Sequence, residues 1–216
     1  MEDQIILIDK PAGISSFGVV AKIRRRLTTE FGHKIKVGHT GTLDPFATGL
    51  LVLLSGKYTK RSNEFLKLDK VYEATLKLGY TSTTGDPEGD ITKVTPLQHD
   101  NTIPETTLLK TLNSFIGAIT QTPPKFSAIK INGQRAYKLA RKGQDFEIPS
   151  RQVEIYSIDV LHYDYPHLTI RVHCSSGTYI HTLAEDIGKA LDTGAYLTAL
   201  RRLQIGKYSV ADASKL

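Results

Sequence analysis

One carboxylate is set apart by what surrounds it. Asp44 lies in Val37-Gly38-His39-Thr40-Gly41-Thr42-Leu43-Asp44-Pro45-Phe46-Ala47-Thr48-Gly49, a stretch with three glycines and a proline. Gly38, Gly41 and Gly49 can take backbone angles that other residues avoid, and they let another backbone come close. Pro45 fixes its own φ and pushes Asp44 out of helical geometry. Such a loop aims a single acid, and an aimed carboxylate can act as nucleophile or proton acceptor. Asp before Pro is also an ordinary turn former, so spacing alone leaves both readings open. The run Leu50-Leu51-Val52-Leu53-Leu54 follows at once and places the acid at the edge of a core.

Other chemistry-bearing types are sparse. The single cysteine, Cys174, excludes an internal disulfide and a multi-Cys zinc site, and it sits in a strand-like run as a small core residue. The seven histidines show no HxxH spacing, so no metal is expected. Asp86, Glu88 and Asp90 alternate as in a calcium loop, but the twelfth position is Leu97, so residues 81–90 read as a turn. A net charge of +6 and a pI near 9.3 point to a polyanionic partner. The apolar run Ile5–Ile8 is too short for a signal peptide, and no stretch has the length of a membrane span, so the chain reads as cytoplasmic.

The elements that must carry these residues follow from periodicity. Ile5-Ile6-Leu7-Ile8 is a buried strand, and Ser15 or Ser16 can cap a helix bearing Val19, Val20, Ile23 and Leu27 on one face. Lys22, Arg24, Arg25 and Arg26 cover the rest of that helix, either as a solvated face or as a phosphate-facing stripe. Lys57, Lys60, Arg61 and Lys67 form a second basic cluster. Residues 71–78 alternate strictly, with Tyr72, Ala74, Leu76 and Leu78 on one face of a half-buried strand. A helix is predicted over 104–116, ended by Gly117. Residues 153–165 and 168–174 read as paired strands joined near Pro166, and a helix with Leu183, Ile187 and Leu191 follows. Between them, residues 121–133 and a short helix stopped by Gly143 interleave basic residues with Phe126 and Tyr137, as where phosphates and bases are both touched.

Gly38 to Leu51 closely resembles the catalytic motif of the TruB family of tRNA pseudouridine synthases. Lys10-Pro11-Ala12-Gly13-Ile14-Ser15-Ser16, the block over 121–143, Gly177-Thr178-Tyr179-Ile180-His181 and Thr198-Ala199-Leu200-Arg201-Arg202-Leu203 match further family signatures in order. The resemblance implies an α+β pseudouridine synthase fold, a mostly antiparallel mixed sheet with flanking helices and a central basic active-site cleft. It implies a single catalytic domain over 1–216, an RNA-wedging insertion at about 120–150, and no C-terminal PUA-type domain. The implied reaction is uridine to pseudouridine at position 55 in the T-loop of tRNA, without cofactor or metal, by a protein expected to be monomeric.

By the same resemblance Asp44 is the catalytic acid. Tyr72 stacks on the target base, Leu200 and Tyr179 line its pocket, His39 sits where the RNA loop is opened, and Lys60 lies near the pocket. Lys10, Lys125, Lys130, Arg135 and Arg141 are the expected RNA-binding residues. The family's Gly-Thr-Tyr-Ile-Arg sequence ends here in His181, where the family Arg pairs with the catalytic Asp. Either His181 carries that proton, with a reference pKa near 6.5, or another base such as Lys60 or Arg201 takes the pair. A non-catalytic RNA-binding or tRNA-folding protein, and the same chemistry on another RNA, are the alternatives.

Overall fold

The computed structural model describes residues 2–94, 102–124, 130–131, 134–136, 139 and 146–216. In chain order the elements begin with β1 (Ile5–Lys10), α1 (Ser16–Phe31), β2 (Val37–His39) and β3 (Thr48–Ser55). A 3-10 turn, Gly56–Arg61, leads to α2 (Ser62–Leu66), β4 (Lys70–Leu78), β5 (Tyr80–Ser82) and β6 (Ile91–Lys93). Then come α3 (Glu105–Asn113), β7 (Gly117–Gln121), β8 (Lys130–Ile131), β9 (Gln134–Arg135), β10 (Arg151–Asp164) and β11 (His167–Cys174). The last are α4 (Ile180–Ala190), β12 (Ala195–Ile205), β13 (Tyr208–Ser209) and β14 (Ser214–Lys215).

The main sheet pairs β14-β1-β3-β12-β4-β11-β10-β7, with β2 added to β3 and β13 to β12. The β1–β14 and β3–β12 pairs are parallel, whereas β1–β3, β2–β3, β7–β10 and β12–β13 are antiparallel. This is the α+β, mostly antiparallel mixed sheet expected. No helix among the described residues is long and apolar enough to cross a membrane. The chain divides into two compact units: Met1–Glu73 with Arg171–Ser176 and Ala199–Leu216, and Ala74–Ile170 with Gly177–Thr198.

The first unit is built on β3. Leu51 and Leu53 pack with Ile8, Val19, Val20, Ile23, Leu27 and Ile35, while Leu50, Val52 and Leu54 pack with Phe65 and Ile205. A strand covered on both faces is written as an unbroken apolar run, which is why 50–54 shows no alternation. Ser15 is the cap of α1, accepting from the Gly18 N–H at 3.0 Å, and Gly32 ends the helix at φ +73°. Ser16 has a different task, described below. Cys174 is buried and in no disulfide, as expected.

In the second unit the alternation of β4 buries Ala74, Leu76 and Leu78. Strands β10 and β11 are neighbours joined through the cis Tyr165–Pro166 bond. Helix α3 buries Leu108 and Leu112 but stops at Asn113, earlier than the predicted 116. The chain turns there: the Ser114 hydroxyl donates back to the Thr111 carbonyl at 2.6 Å, and Gly117, at φ +103°, already opens β7. Helix α4 buries Leu183, Ala184 and Ile187. Strands β8 and β9 form a short hairpin in which Lys130 is the register partner of Arg135. Lys125, Phe126, Tyr137 and Arg141, and most of the helix predicted before Gly143, lie outside the described residues.

Candidate active site

In the first unit the acid-bearing segment shrinks to residues 40–47, because 37–39 and 48–55 are strands. Three side chains hold its backbone. Lys10 is 0% exposed, and its ammonium donates to the carbonyls of Pro11 (2.9 Å), Ile14 (2.7 Å) and Pro45 (3.2 Å). Ser16, 2% exposed, donates to the Leu43 carbonyl and accepts from the Leu43 N–H, both at 2.8 Å. Arg202, also 2% exposed, forks from Nε to the Leu50 carbonyl (2.8 Å), from Nη1 to Thr42 O (3.4 Å) and from Nη2 to Gly41 O (3.0 Å). A buried charge is tolerated only with such partners.

The RNA-contacting role expected for Lys10 is therefore corrected. Its ammonium is turned inward, where it shares the Pro45 carbonyl, next to Asp44, with the Gly13 N–H. Gly49 completes the clamp. A Cβ there would stand 2.2 Å from the Arg202 carbonyl oxygen, and the residue has φ +98°. Only glycine lets β3 and β12 come this close at the register pair Arg202↔Gly49.

Tyr72 lies in the same neighbourhood. Burial pushes its hydroxyl pKa up, the nearby Arg202 guanidinium pulls the other way, and Asp44 adds to the upward push. Lys70, on the same face of β4, is pushed down to about 8 by burial and then by the Arg202 charge, and it donates to the Leu66 carbonyl at 2.8 Å. Leu200 is buried, on the same face of β12 as Arg202. His39 is half-buried, and its Nδ1 accepts from the Gly41 N–H at 3.3 Å. Lys60 is exposed in the 3-10 turn. Arg201 makes a two-pronged pair with Asp9 at 2.9 and 2.8 Å, so its fork is engaged by an acid other than Asp44.

In the second unit Tyr179 is the N-cap residue of α4. Its N–H donates to Gln121 Oε1 at 3.0 Å, its carbonyl accepts from Gln121 Nε2 at 3.3 Å, and the Arg151 guanidinium lies 4.8 Å from its ring centroid. His181, buried in the first turn of α4, has Nε2 3.4 Å from Asp86 Oδ2. The other oxygen of Asp86 accepts from the Thr84 hydroxyl at 2.5 Å and the Glu88 N–H at 2.9 Å. Burial opposes the charge on Asp86, but hydrogen bonds from His181, Thr84 and Glu88 hold its carboxyl below the usual value. Gly85 (φ +75°) brings this turn against α4: a Cβ would lie 2.7 Å from Glu185 Oε1 and 3.3 Å from His181 Cβ.

Four of these residues escaped the sequence reading: Ser16 as a clamp, Arg202, Gln121 and Asp86. Arg202 had a signal. Strand alternation puts it on the face of Leu200, toward the core, and Arg201 on the other. Asp86 had one too, since Asp86-Pro87 repeats the Asp44-Pro45 dipeptide. Nothing in the local pattern marks Gln121.

A family model described as TruB family pseudouridylate synthase (N terminal domain) matches residues 24–180, and one described as tRNA pseudouridylate synthase B C-terminal domain matches 181–216. The tRNA pseudouridine synthase B of Phocaeicola vulgatus is 46% identical over 212 residues, covering 98% of this chain and 89% of that protein. That of Flavobacterium johnsoniae is 44% identical over 215 residues, covering 99% and 93%. The solved structure described as "Crystal Structure of a Cbf5-Nop10-Gar1 Complex" aligns with a TM-score of 0.72 at 29% identity, over 100% of this chain and 52% of that one. On these matches the chain belongs to the TruB family of pseudouridylate synthases.

Proposed function

We propose that the chain isomerises uridine to pseudouridine in the T-loop of tRNA, with Asp44 as the catalytic acid. The observation that carries this reading is the clamp of Lys10, Ser16 and Arg202 on the loop that presents Asp44, with the buried Tyr72 near the same guanidinium. An aimed carboxylate beside an aromatic ring is what this rearrangement asks for. The N1–C1′ bond breaks, the base turns, and a C5–C1′ bond forms. The proton on C5 leaves to solvent and N1 gains one, so the reaction is redox-neutral and atoms balance.

The target base must first leave its stack, which costs a few kcal/mol and is least for a base already loosely held. Tyr72 is the proposed stacking partner of the everted uracil and Leu200 its apolar wall. His39 is the proposed residue at the opened RNA loop, and exposed Lys60 a phosphate contact. For the second unit we infer substrate-binding roles for Tyr179, which matches the family's Gly-Thr-Tyr-Ile-Arg sequence, and for His181, which stands where that sequence has Arg. The T-arm is the proposed substrate element and a monomer the proposed working form. A T-arm hairpin tritiated at uridine C5 tests the reading. Tritium release is expected, whereas binding without release at any pH would favour a non-catalytic RNA-binding role.

A further inference from the structure

The positive charge of this chain is concentrated. Residues 16–36 hold six Lys/Arg (Lys22, Arg24, Arg25, Arg26, Lys34 and Lys36) and one acid (Glu30), a net +5 against +6 for all 216 residues. Most of these side chains are on the surface: Lys22, Arg25, Arg26, Lys34 and Lys36 are exposed and Arg24 half-buried. The buried stripe of α1, with Val19, Val20, Ile23 and Leu27, faces away from them.

At the start of the same helix stands Phe17, 67% exposed. Scattered apolar residues are normal on surfaces, but this ring has two features that such residues lack. The Arg24 guanidinium, two turns along, lies over it, 5.7 Å from its centroid. The preceding residue, Ser16, is the one whose hydroxyl holds both backbone groups of Leu43, next to Asp44. The ring and its arginine therefore stand at the flank of the acid-bearing loop, at one end of the basic face. Aromatic rings and stacked guanidiniums are what proteins use to seat unpaired bases, with sequence-tolerant phosphate contacts beside them.

We propose that Phe17 and Arg24 form a platform for a nucleotide of the substrate RNA outside the target uridine, and that Lys22, Arg25 and Arg26 continue it as a phosphate-binding face. The inference rests on the proposed RNA activity and adds to it a surface that the isomerisation itself does not require. The partner is a ribose-phosphate chain with a splayed base, not a folded protein: the face is cationic and carries one large apolar side chain.

The test measures the affinity of the full chain for a tRNA transcript across a salt series, together with single-turnover tritium release at saturating enzyme. Each lost phosphate contact lowers the slope of log affinity against log salt by about 0.7–0.9. The triple variant Lys22→Ala/Arg25→Ala/Arg26→Ala should thus lose about 2 units of slope while its saturated rate stays within about twofold of the parent. Phe17→Ala should weaken binding about fivefold to 150-fold, the range for loss of one base stack, and Phe17→Tyr should restore it. A triple variant with the parent's slope, or a Phe17→Ala variant with the parent's affinity, overturns the proposal. Thermal melts check that these exposed substitutions leave the fold intact. Tritium release by the parent separately reads the underlying activity, so a failure of that reading is told apart from a failure of this surface.

Discussion

The two units each present an Asp-Pro turn, and the contacts described around each are of different kinds. At Asp44-Pro45 the clamps act on the backbone: Lys10, Ser16 and Arg202 reach the carbonyls of Gly41, Thr42, Leu43 and Pro45. At Asp86-Pro87 the carboxylate itself is gripped, by Thr84, the Glu88 N–H and His181. A loop held through its main chain suits the chemistry proposed for Asp44. A residue whose carboxyl orients a histidine is best held by the carboxyl. The basic partners differ in kind as well: an ammonium and a guanidinium hold the first loop, an imidazole the second.

Arg202→Ala should break the contrast most severely. It strips donors from the carbonyls of Leu50, Thr42 and Gly41 inside the protein. At about 1 kcal/mol per lost bond plus the space left behind, the cost is about 3–5 kcal/mol, read as a fall in the urea midpoint. A loss near zero would mean the clamp is ornamental.

The two glycines give the next comparison. Gly49→Ala forces a Cβ against the Arg202 backbone, 2.2 Å from its oxygen, and should cost about 2–4 kcal/mol. Gly85→Ala meets chiefly the tip of the Glu185 side chain, which can swing aside, so about 1–2 kcal/mol is expected. A reversed order in denaturation midpoints would contradict the backbone clamp in the first unit.

Acid titration separates the units further. Because the folded Asp86 carboxyl is held below its ordinary value, its contribution is complete above about pH 4 and is lost as pH falls through the folded value. Asp86→Asn should be less stable than the parent by about 1–2 kcal/mol at pH 7, and the gap should close as pH falls below 4. A gap independent of pH would show that the charge of Asp86 is not what matters.

Much of this was legible in the sequence because it is written in short-range signals. The periodicity of 19–27 and of 71–78, the cap at Ser15 and the apolar run 50–54 each state an element in local terms, and the folded chain repeats them. What escaped is long-range. Lys10 reads as a surface base until three carbonyls, one of them 35 residues away, claim its ammonium. Arg202 reads as one of a basic pair until strand alternation turns it inward, toward carbonyls about 160 residues earlier in the chain. The end of α3 was misjudged because no apolar spacing distinguishes a last helical turn from the tight turn at Ser114 that replaces it.

The most direct test concerns the acid itself. Asp44→Asn keeps the shape of the loop and the three clamps while removing the carboxylate, so the variant should bind T-arm RNA with about the parent's affinity and release no tritium from uridine C5 above background. An amide variant that released tritium at the parent's rate would contradict the account.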